Sequence, residues 1–214
     1  MKTDIINELE KFDIETISDA LNTIGLCTNI YNLKYTVEDK LIVGKAYTVE
    51  FITDNYKDKC LSANYIDDVP KNSIIVIDNH NIDYCTVWGN ILSRMAQIKN
   101  IKGTIINGAM RDYKKSKELN YPVFSKYINC KTGKGVVRLK SVNEPITIDN
   151  IPINPNDYIV LQNSIMLVIP MDRVEEVIRI SKKIEEMENN ILKAINNNVT
   201  LKEARERYKY DDIK

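Results

Sequence analysis

The sequence predicts an α/β fold, and three patterns predict it. Residues 73–78 (SIIVID) and 104–107 are apolar runs without the alternation of a half-exposed strand, as expected of strands covered on both faces. Each is followed by a stretch with helical spacing, one opening at Asn90 and one over residues 113–119. From Gly133 to Ile169 the pattern changes to short strands separated by Asn-Glu-Pro and Asn-Pro-Asn turns, which reads as antiparallel. A βαβα segment followed by hairpins and a terminal helix, with no internal repeat, low-complexity tract or linker, makes one domain of residues 1–214.

Taken in order, residues 4–10 form a short amphipathic helix, and Thr16 or Ser18 can cap a second, which Gly25 ends at its C′ position. Residues 41–52 alternate and are rich in β-branched side chains, so they form a half-buried strand in which Gly44 marks a bulge or a close approach. Residues 59–66 have helical character, and residues 78–83 form a polar loop after the first buried strand. In the helix opened by Asn90, residues Ile91, Leu92, Met95 and Ala96 share the apolar face. Gly108 and Ala109 let the chain turn tightly after the second buried strand, and Pro122 opens another strand. Residues 171–197 read as one long helix with a near-heptad stripe of Val174, Val177, Ile178, Ile184, Met187, Ile191, Leu192 and Ile195, followed by a short helix over 201–208. Such a stripe packs on the chain's own sheet or on a neighbouring subunit.

Thirty basic and thirty acidic residues cancel, so no net field draws the chain toward nucleic acid or an anionic membrane. Cys27, Cys60, Cys85 and Cys130 lie far apart with no CxxC pair, which argues for reduced thiols and a cytoplasmic protein and against a structural zinc site. No apolar signal core and no long apolar span is present. His80 is the single histidine, so a His-rich metal site or a Ser-His-Asp triad is disfavoured, and any metal needs oxygen ligands.

Two segments carry candidate chemistry. In Trp88-Gly89-Asn90-Ile91-Leu92 the first amides of a helix lack internal partners and can hold a carboxylate, with Gly89 allowing its approach. The simpler alternative is that Asn90 caps the helix and Trp88 packs in the core. In Gly108-Ala109-Met110-Arg111-Asp112 a buried strand delivers a charged pair to the carboxyl edge of the sheet, where open α/β sheets bind ligands. Asp112 could hold Mg²⁺ directly or through water, and Arg111 could pin a carboxylate. The alternative is that Asp112 caps helix 113–119 and Arg111 makes a rim ion pair worth ~0–1 kcal/mol. His80, beside Asp78 and Asp83, is a base, a ligand or a solvated loop residue.

The order and spacing of TISDALNTIG, VGKAYTVEF, IIVID, WGNILSRMA, IKGTIINGAMRD, ELNYPVF, NPNDYIVLQ and IMLVIP resemble the RraA-like proteins, which include 4-hydroxy-4-methyl-2-oxoglutarate/4-carboxy-4-hydroxy-2-oxoadipate aldolases and the regulator of ribonuclease E activity. The resemblance implies a three-layer β/β/α swivelling domain that assembles as a homotrimer or hexamer, with residues 171–214 a helical segment at a subunit interface. It also implies a divalent-metal-dependent lyase, an aldolase or decarboxylase, on a small 2-oxo acid. The alternative is a non-catalytic trimeric regulator or binding protein, of the kind that the regulator of ribonuclease E activity represents. By the same resemblance Asp112 anchors Mg²⁺ or Mn²⁺, Arg111 contacts substrate, and Gly89 and the amides of Ile91 and Leu92 hold its carboxylate. A glutamate from the C-terminal helix of a neighbouring copy completes the metal site, matched by Glu188 and next by Glu185. The sequence departs from the pattern where Asn90 replaces the catalytic acid, where Gln162-Asn163-Ser164-Ile165 lacks the family's Asp and Asp-Gly, and where His80 stands in a loop usually occupied by glycine.

Overall fold

In the structure, a computed structural model that describes residues 4–38, 40–53 and 63–212, the elements alternate much as the apolar pattern requires. They are α1 (Ile5–Leu9), α2 (Ile14–Thr23), β1 (Asn29–Ile30), β2 (Lys34–Tyr35), β3 (Ile42–Thr53), β4 (Ser73–Trp88), α3 (Asn90–Ile98), β5 (Gly103–Met110), α4 (Tyr113–Glu118), β6 (Val123–Ile128), β7 (Val137–Val142), β8 (Ile146–Ile148), β9 (Ile151–Ile153), β10 (Tyr158–Gln162), β11 (Ile165–Ile169), α5 (Val174–Asn196) and α6 (Leu201–Tyr208). Short 3-10 turns add Asn64–Asp68 and Tyr210–Asp212. These elements divide into two compact units, one spanning Asn29–Met171 and one built from the two ends of the chain.

The central unit is a nine-stranded mixed sheet in the order β1-β11-β10-β3-β4-β5-β6-β2, with β7 paired to β3. Strands β3, β4, β5 and β6 are parallel neighbours, and the α3 and α4 segments connect β4 to β5 and β5 to β6. Antiparallel strands extend the sheet on both sides, as the hairpin-rich second half predicts. Side chains of β4 alternate between two cores. Ile75 and Ile77 join Val49, Phe51, Trp88, Ala96 and the 3-10 residues Tyr65 and Ile66 on one face. Ile74 and Val76 join Ala46, Ile105 and the β8–β9 hairpin residues Ile146, Ile148, Ile151 and Ile153 on the other. Hairpin, sheet and helices thus give the β/β/α layering, and the run SIIVID is apolar throughout because both its faces are covered.

In the terminal unit α2 and α5 pack together and α6 packs on α5, with Ile191, Ala194 and Ala204 in a small core. The stripe on α5 buries Val174, Val177, Ile178, Ile184 and Ile191, but Leu192 and Ile195 are exposed. Among the described residues no helix is long and apolar enough to cross a membrane. Cys27, Cys85 and Cys130 are free thiols, and Cys60 lies outside the described residues.

Several local expectations are corrected. Helix α2 begins at Ile14 with Asp13 at the cap position, so Thr16 and Ser18 lie inside it; starting there places Ile14, Ile17, Ala20 and Leu21 on one buried face. Strand β3 is buried on both faces rather than half-buried. Of the helix expected over 59–66, residues 59–62 lie outside the described residues, and Asn64–Asp68 is a 3-10 turn. Residues 78–83 belong to β4, whose segment from Asp78 to Trp88 bulges against only Asn107 to Met110 of β5, with His80 and Asn81 in the left-handed region. Gly108 and Ala109 are likewise inside β5, not in a turn.

At Gly44 the expected close approach is present: an added Cβ would lie 2.9 Å from Ile74 Cγ1 and 3.0 Å from the Asn72 carbonyl oxygen. Gly44→Ala should therefore destabilise the central unit by about 1–3 kcal/mol, the usual cost of overpacking, read as a lower urea midpoint at unchanged slope. An unchanged midpoint would show that β4 yields without strain.

Candidate active site

Strands β4 and β5 run parallel and end in register, Trp88 opposite Met110, so the residues that follow them meet at one sheet edge. Arg111 N–H donates to the Trp88 carbonyl at 2.9 Å, extending this pairing by one step. Asp112 then adopts a left-handed conformation at φ 57°, which Asp tolerates better than most side chains. Asp112 occupies the cap position of α4 but makes no side-chain cap there. Its Oδ2 instead accepts the Asn90 backbone N–H at 3.1 Å, at the amino end of α3. Arg111 Nε lies 3.7 Å from the same oxygen.

This geometry corrects two expectations. Gly89, extended at φ −155°, holds the cap position of α3, and Asn90 is the first helical residue, so Asn90 is not the cap. Ile91 is 75% exposed and leaves the apolar face to Leu92, Met95 and Ala96. Intrahelical bonding begins with Ser93 N–H to the Gly89 oxygen, so the amides of Ile91 and Leu92 precede the ladder. An added Cβ on Gly89 would stand 2.8 Å from Asp112 Oδ2 and 3.1 Å from Arg111 Nε, so a side chain there would displace both charged groups.

Gly89, Asn90, Ile91, Leu92, Arg111 and Asp112, all singled out in the sequence, line one cavity of about 190 Å³, together with Thr86, Trp88 and Thr132. Thr132 was not singled out; it reaches the site by bridging to Thr86 from the loop after β6, a contact between distant segments that leaves no local signal. The floor is rigid. Trp88 is buried, donates its indole N–H to Ser93 Oγ at 2.9 Å and stacks on Tyr121, while Ser93 Oγ also pairs with Ser116 Oγ at 2.9 Å, tying α3 to α4. The donor set at this edge is one carboxylate among amides and a guanidinium. It would suit a hard divalent ion that keeps several waters or takes oxygens from its substrate.

Glu188 lies elsewhere, on α5 in the terminal unit, where it lines a hollow of about 300 Å³ with Asp19, Asn22, Thr23, Ile184, Met187 and Tyr210. Burial, with Asp19 and Asp13 nearby, raises its pKa above the ordinary glutamate value. Glu185, the second match, is exposed. His80 is brought to Asp78, as read, but its other neighbour is Glu50 rather than Asp83. The ligand atoms of Glu50, Asp78 and His80 lie within 4.8 Å of one another, the one such group of three among the described residues that could hold a metal.

Residues 14–165 match the RraA-like family, described as Aldolase/RraA. The chain belongs to the RraA-like family. It is 38% identical to protein DlpA of Legionella pneumophila over 97% of its length, and spans only 34% of that protein. It is 32% identical to a Halalkalibacterium halodurans protein named "Putative 4-hydroxy-4-methyl-2-oxoglutarate aldolase", covering 92% of this chain and 90% of that one. The crystal structure of an uncharacterized protein from Pseudomonas syringae pv. tomato superposes with a TM-score of 0.88 at 35% identity, over 97% and 95% of the two chains. Streptomyces coelicolor RraAS2, at 16% identity and a TM-score of 0.81 over 88% and 96% of the two chains, shares the fold.

The raised pKa of Glu188 gives a pH-dependent expectation. A carboxyl whose folded pKa is raised favours folding below its unfolded value, near 4.5, and loses that contribution as pH rises. Glu188→Gln should therefore raise the melting temperature at neutral pH, and the gain should vanish in acid below the ordinary glutamate range. A gain independent of pH would rule out the charge as its cause.

Proposed function

We propose that the chain is a divalent-metal-dependent lyase acting on a small 2-oxo acid, by retro-aldol cleavage or by decarboxylation of the oxaloacetate type. The observation that carries this reading is the convergence of Arg111, Asp112 and the open amides of Ile91 and Leu92 on one cavity at the amino end of α3. Membership of the Aldolase/RraA family supports it.

The amides of Ile91 and Leu92, at the positive end of the helix dipole, bind the substrate carboxylate. Gly89, having no side chain, lets Asp112 and Arg111 close on the helix amino end where that group binds, and Arg111 offsets the negative charge that develops on the keto oxygen as the C–C bond breaks. Asp112 would hold Mg²⁺ or Mn²⁺, which when bound supplies Lewis-acid withdrawal of electrons from the 2-oxo acid. Glu188, with Glu185 as the second candidate, would complete the metal site from a neighbouring copy in a homotrimer or hexamer. The helical segment 171–214 would then form the subunit interface, for which the exposed Leu192, Ile195 and Leu201 offer an apolar face.

Asn90 decides between the two reactions. Aldol cleavage requires a proton to leave the substrate hydroxyl, and an amide cannot take it at neutral pH. Decarboxylation of oxaloacetate sends the electrons of the C3–C4 bond into the enolate as CO₂ departs, with no hydroxyl proton to remove. The decarboxylase branch is therefore the better supported one. The same Asn90 favours a second reading, a non-catalytic trimeric regulator. Robust turnover without a stable protein partner would count against it.

Pyruvate release should be measured from oxaloacetate and from a 4-hydroxy-2-oxo acid. We expect turnover of oxaloacetate that EDTA abolishes and Mg²⁺ or Mn²⁺ restores, and that Asp112→Ala lowers by about 100-fold or more. Activity indifferent to chelation and to Asp112→Ala would overturn the metal role. Asn90→Asp should raise aldol cleavage by about 100-fold relative to decarboxylation, the typical gain from a placed general base.

A further inference from the structure

The geometry points to a second cation site, for a first-row transition metal such as Zn²⁺, formed by Glu50, Asp78 and His80 on the hairpin face of the sheet. It is independent of the lyase reading. Strand register creates it: Ser141 of β7, Glu50 of β3, Asp78 of β4 and Asn107 of β5 are successive cross-strand partners, so four polar side chains stand in a row near the carboxyl ends of the parallel strands. In β4 the row continues the face of Ile74 and Val76, which packs on the hairpin, whereas α3 packs on the other face.

His80 closes the row from above. Its left-handed backbone, φ 48°, folds it back so that its own N–H donates to Asp78 Oδ1 at 2.8 Å. Its ring then lies between the two carboxylates, Nδ1 3.5 Å from Asp78 Oδ2 and Nε2 3.2 Å from Glu50 Oε1. Asp78 is buried, the Glu50 side chain is 12% exposed and His80 stands at the solvent edge, so two largely shielded carboxylates sit in register with one accessible imidazole. The cation now facing Glu50 is Lys140, whose Nζ is 2.9 Å from Oε1 and whose side chain is half exposed, so that the pair is an ion pair of low net worth.

An independent observation concerns Asn107. It is 6% exposed and donates Nδ2 to Asp78 Oδ1 at 2.8 Å, yet its Oδ1 is buried with no hydrogen-bond partner among the described residues. A buried amide oxygen without a donor, beside a carboxylate–imidazole group, is available to an ion or to a water bound to one. One imidazole with two carboxylates selects Zn²⁺, Mn²⁺ or Fe²⁺ over Mg²⁺ or Ca²⁺, which prefer oxygen alone.

Because His80 is the sole histidine, its ring ¹⁵N resonances report this site without ambiguity. Zn²⁺ titrated into the full chain at neutral pH should shift those resonances to a saturating end point. Glu50→Gln should weaken the apparent affinity by at least about tenfold, and Lys140→Met should tighten it by up to about fivefold. Asp112→Asn should leave the His80 shifts unchanged, which separates this site from the proposed lyase centre. Ring resonances that stay in place under excess Zn²⁺, or that lose their response in Asp112→Asn, would overturn the assignment.

Discussion

One hydrogen bond organises the candidate active site: the Asn90 N–H at the start of α3 donates to the carboxylate of Asp112 at the start of α4. It joins the exits of two adjacent parallel strands, and it is possible because Trp88 and Met110 are opposite one another at the end of the β4–β5 ladder. A carboxylate at a helix amino end is stabilised by about 0.3–1 kcal/mol through the dipole and the unpaired amides. Asp112 reaches that position by turning left-handed, away from its own helix. Gly89 is the complementary requirement, since any side chain there would collide with the carboxylate that accepts the amide N–H.

The scaffold beneath this bond is a buried polar relay rather than a purely apolar floor. Trp88, Ser93 and Ser116 satisfy one another, with Ser93 also donating toward the Gly89 carbonyl. A buried relay of this kind fixes geometry because each member leaves a partner unsatisfied if it moves, at about 1–3 kcal/mol per orphaned group. The small hydroxyls at 93 and 116 also let α3 and α4 approach closely. The site therefore sits on elements that are hydrogen-bonded to one another, while Arg111 and the exposed Ile91, which line the cavity, stand at its solvent edge.

What was legible in the sequence follows physical range. The buried strands, the hairpin half and the long helix were readable because each depends on patterns within about ten residues. The gathering of Gly89, Asn90, Ile91, Leu92, Arg111 and Asp112 was readable because β–α units deliver strand ends to a common edge. The cap of α3 was not, because the Asn90 N–H finds its acceptor in Asp112, far along the chain, so that the helix starts at Asn90 and Gly89 takes the cap position. Glu50 was missed beside His80 for the same reason: it faces Asp78 only through the β3–β4 register. Turn chemistry was partly hidden by residue choice. With seven glycines in the chain, asparagine takes most of the left-handed positions among the described residues, Asn143 and Asn156 in the hairpin half included. Short polar side chains that bond locally tolerate that conformation, so Asn here carries turns that a search for glycine passes over.

The charges at the amino end of α3 bear on what the departure at Asn90 does to the site. Asp112 is the one carboxylate among the described residues lining the cavity, and it faces a guanidinium at 3.7 Å and a donated backbone amide. A second carboxylate at position 90 would share the space beside Asp112 and, by like-charge repulsion, make the pair a stronger trap for a divalent cation. With an amide there, local positive and negative charge nearly balance, and the open amides of Ile91 and Leu92 tip the cavity toward anions. On the proposed reading, a cation at Asp112 then depends on oxygens brought by the 2-oxo acid itself, so metal and substrate reinforce each other's binding. On the same reading, the substitution that removes a proton acceptor would also shift the cavity from one that concentrates metal to one that concentrates carboxylate.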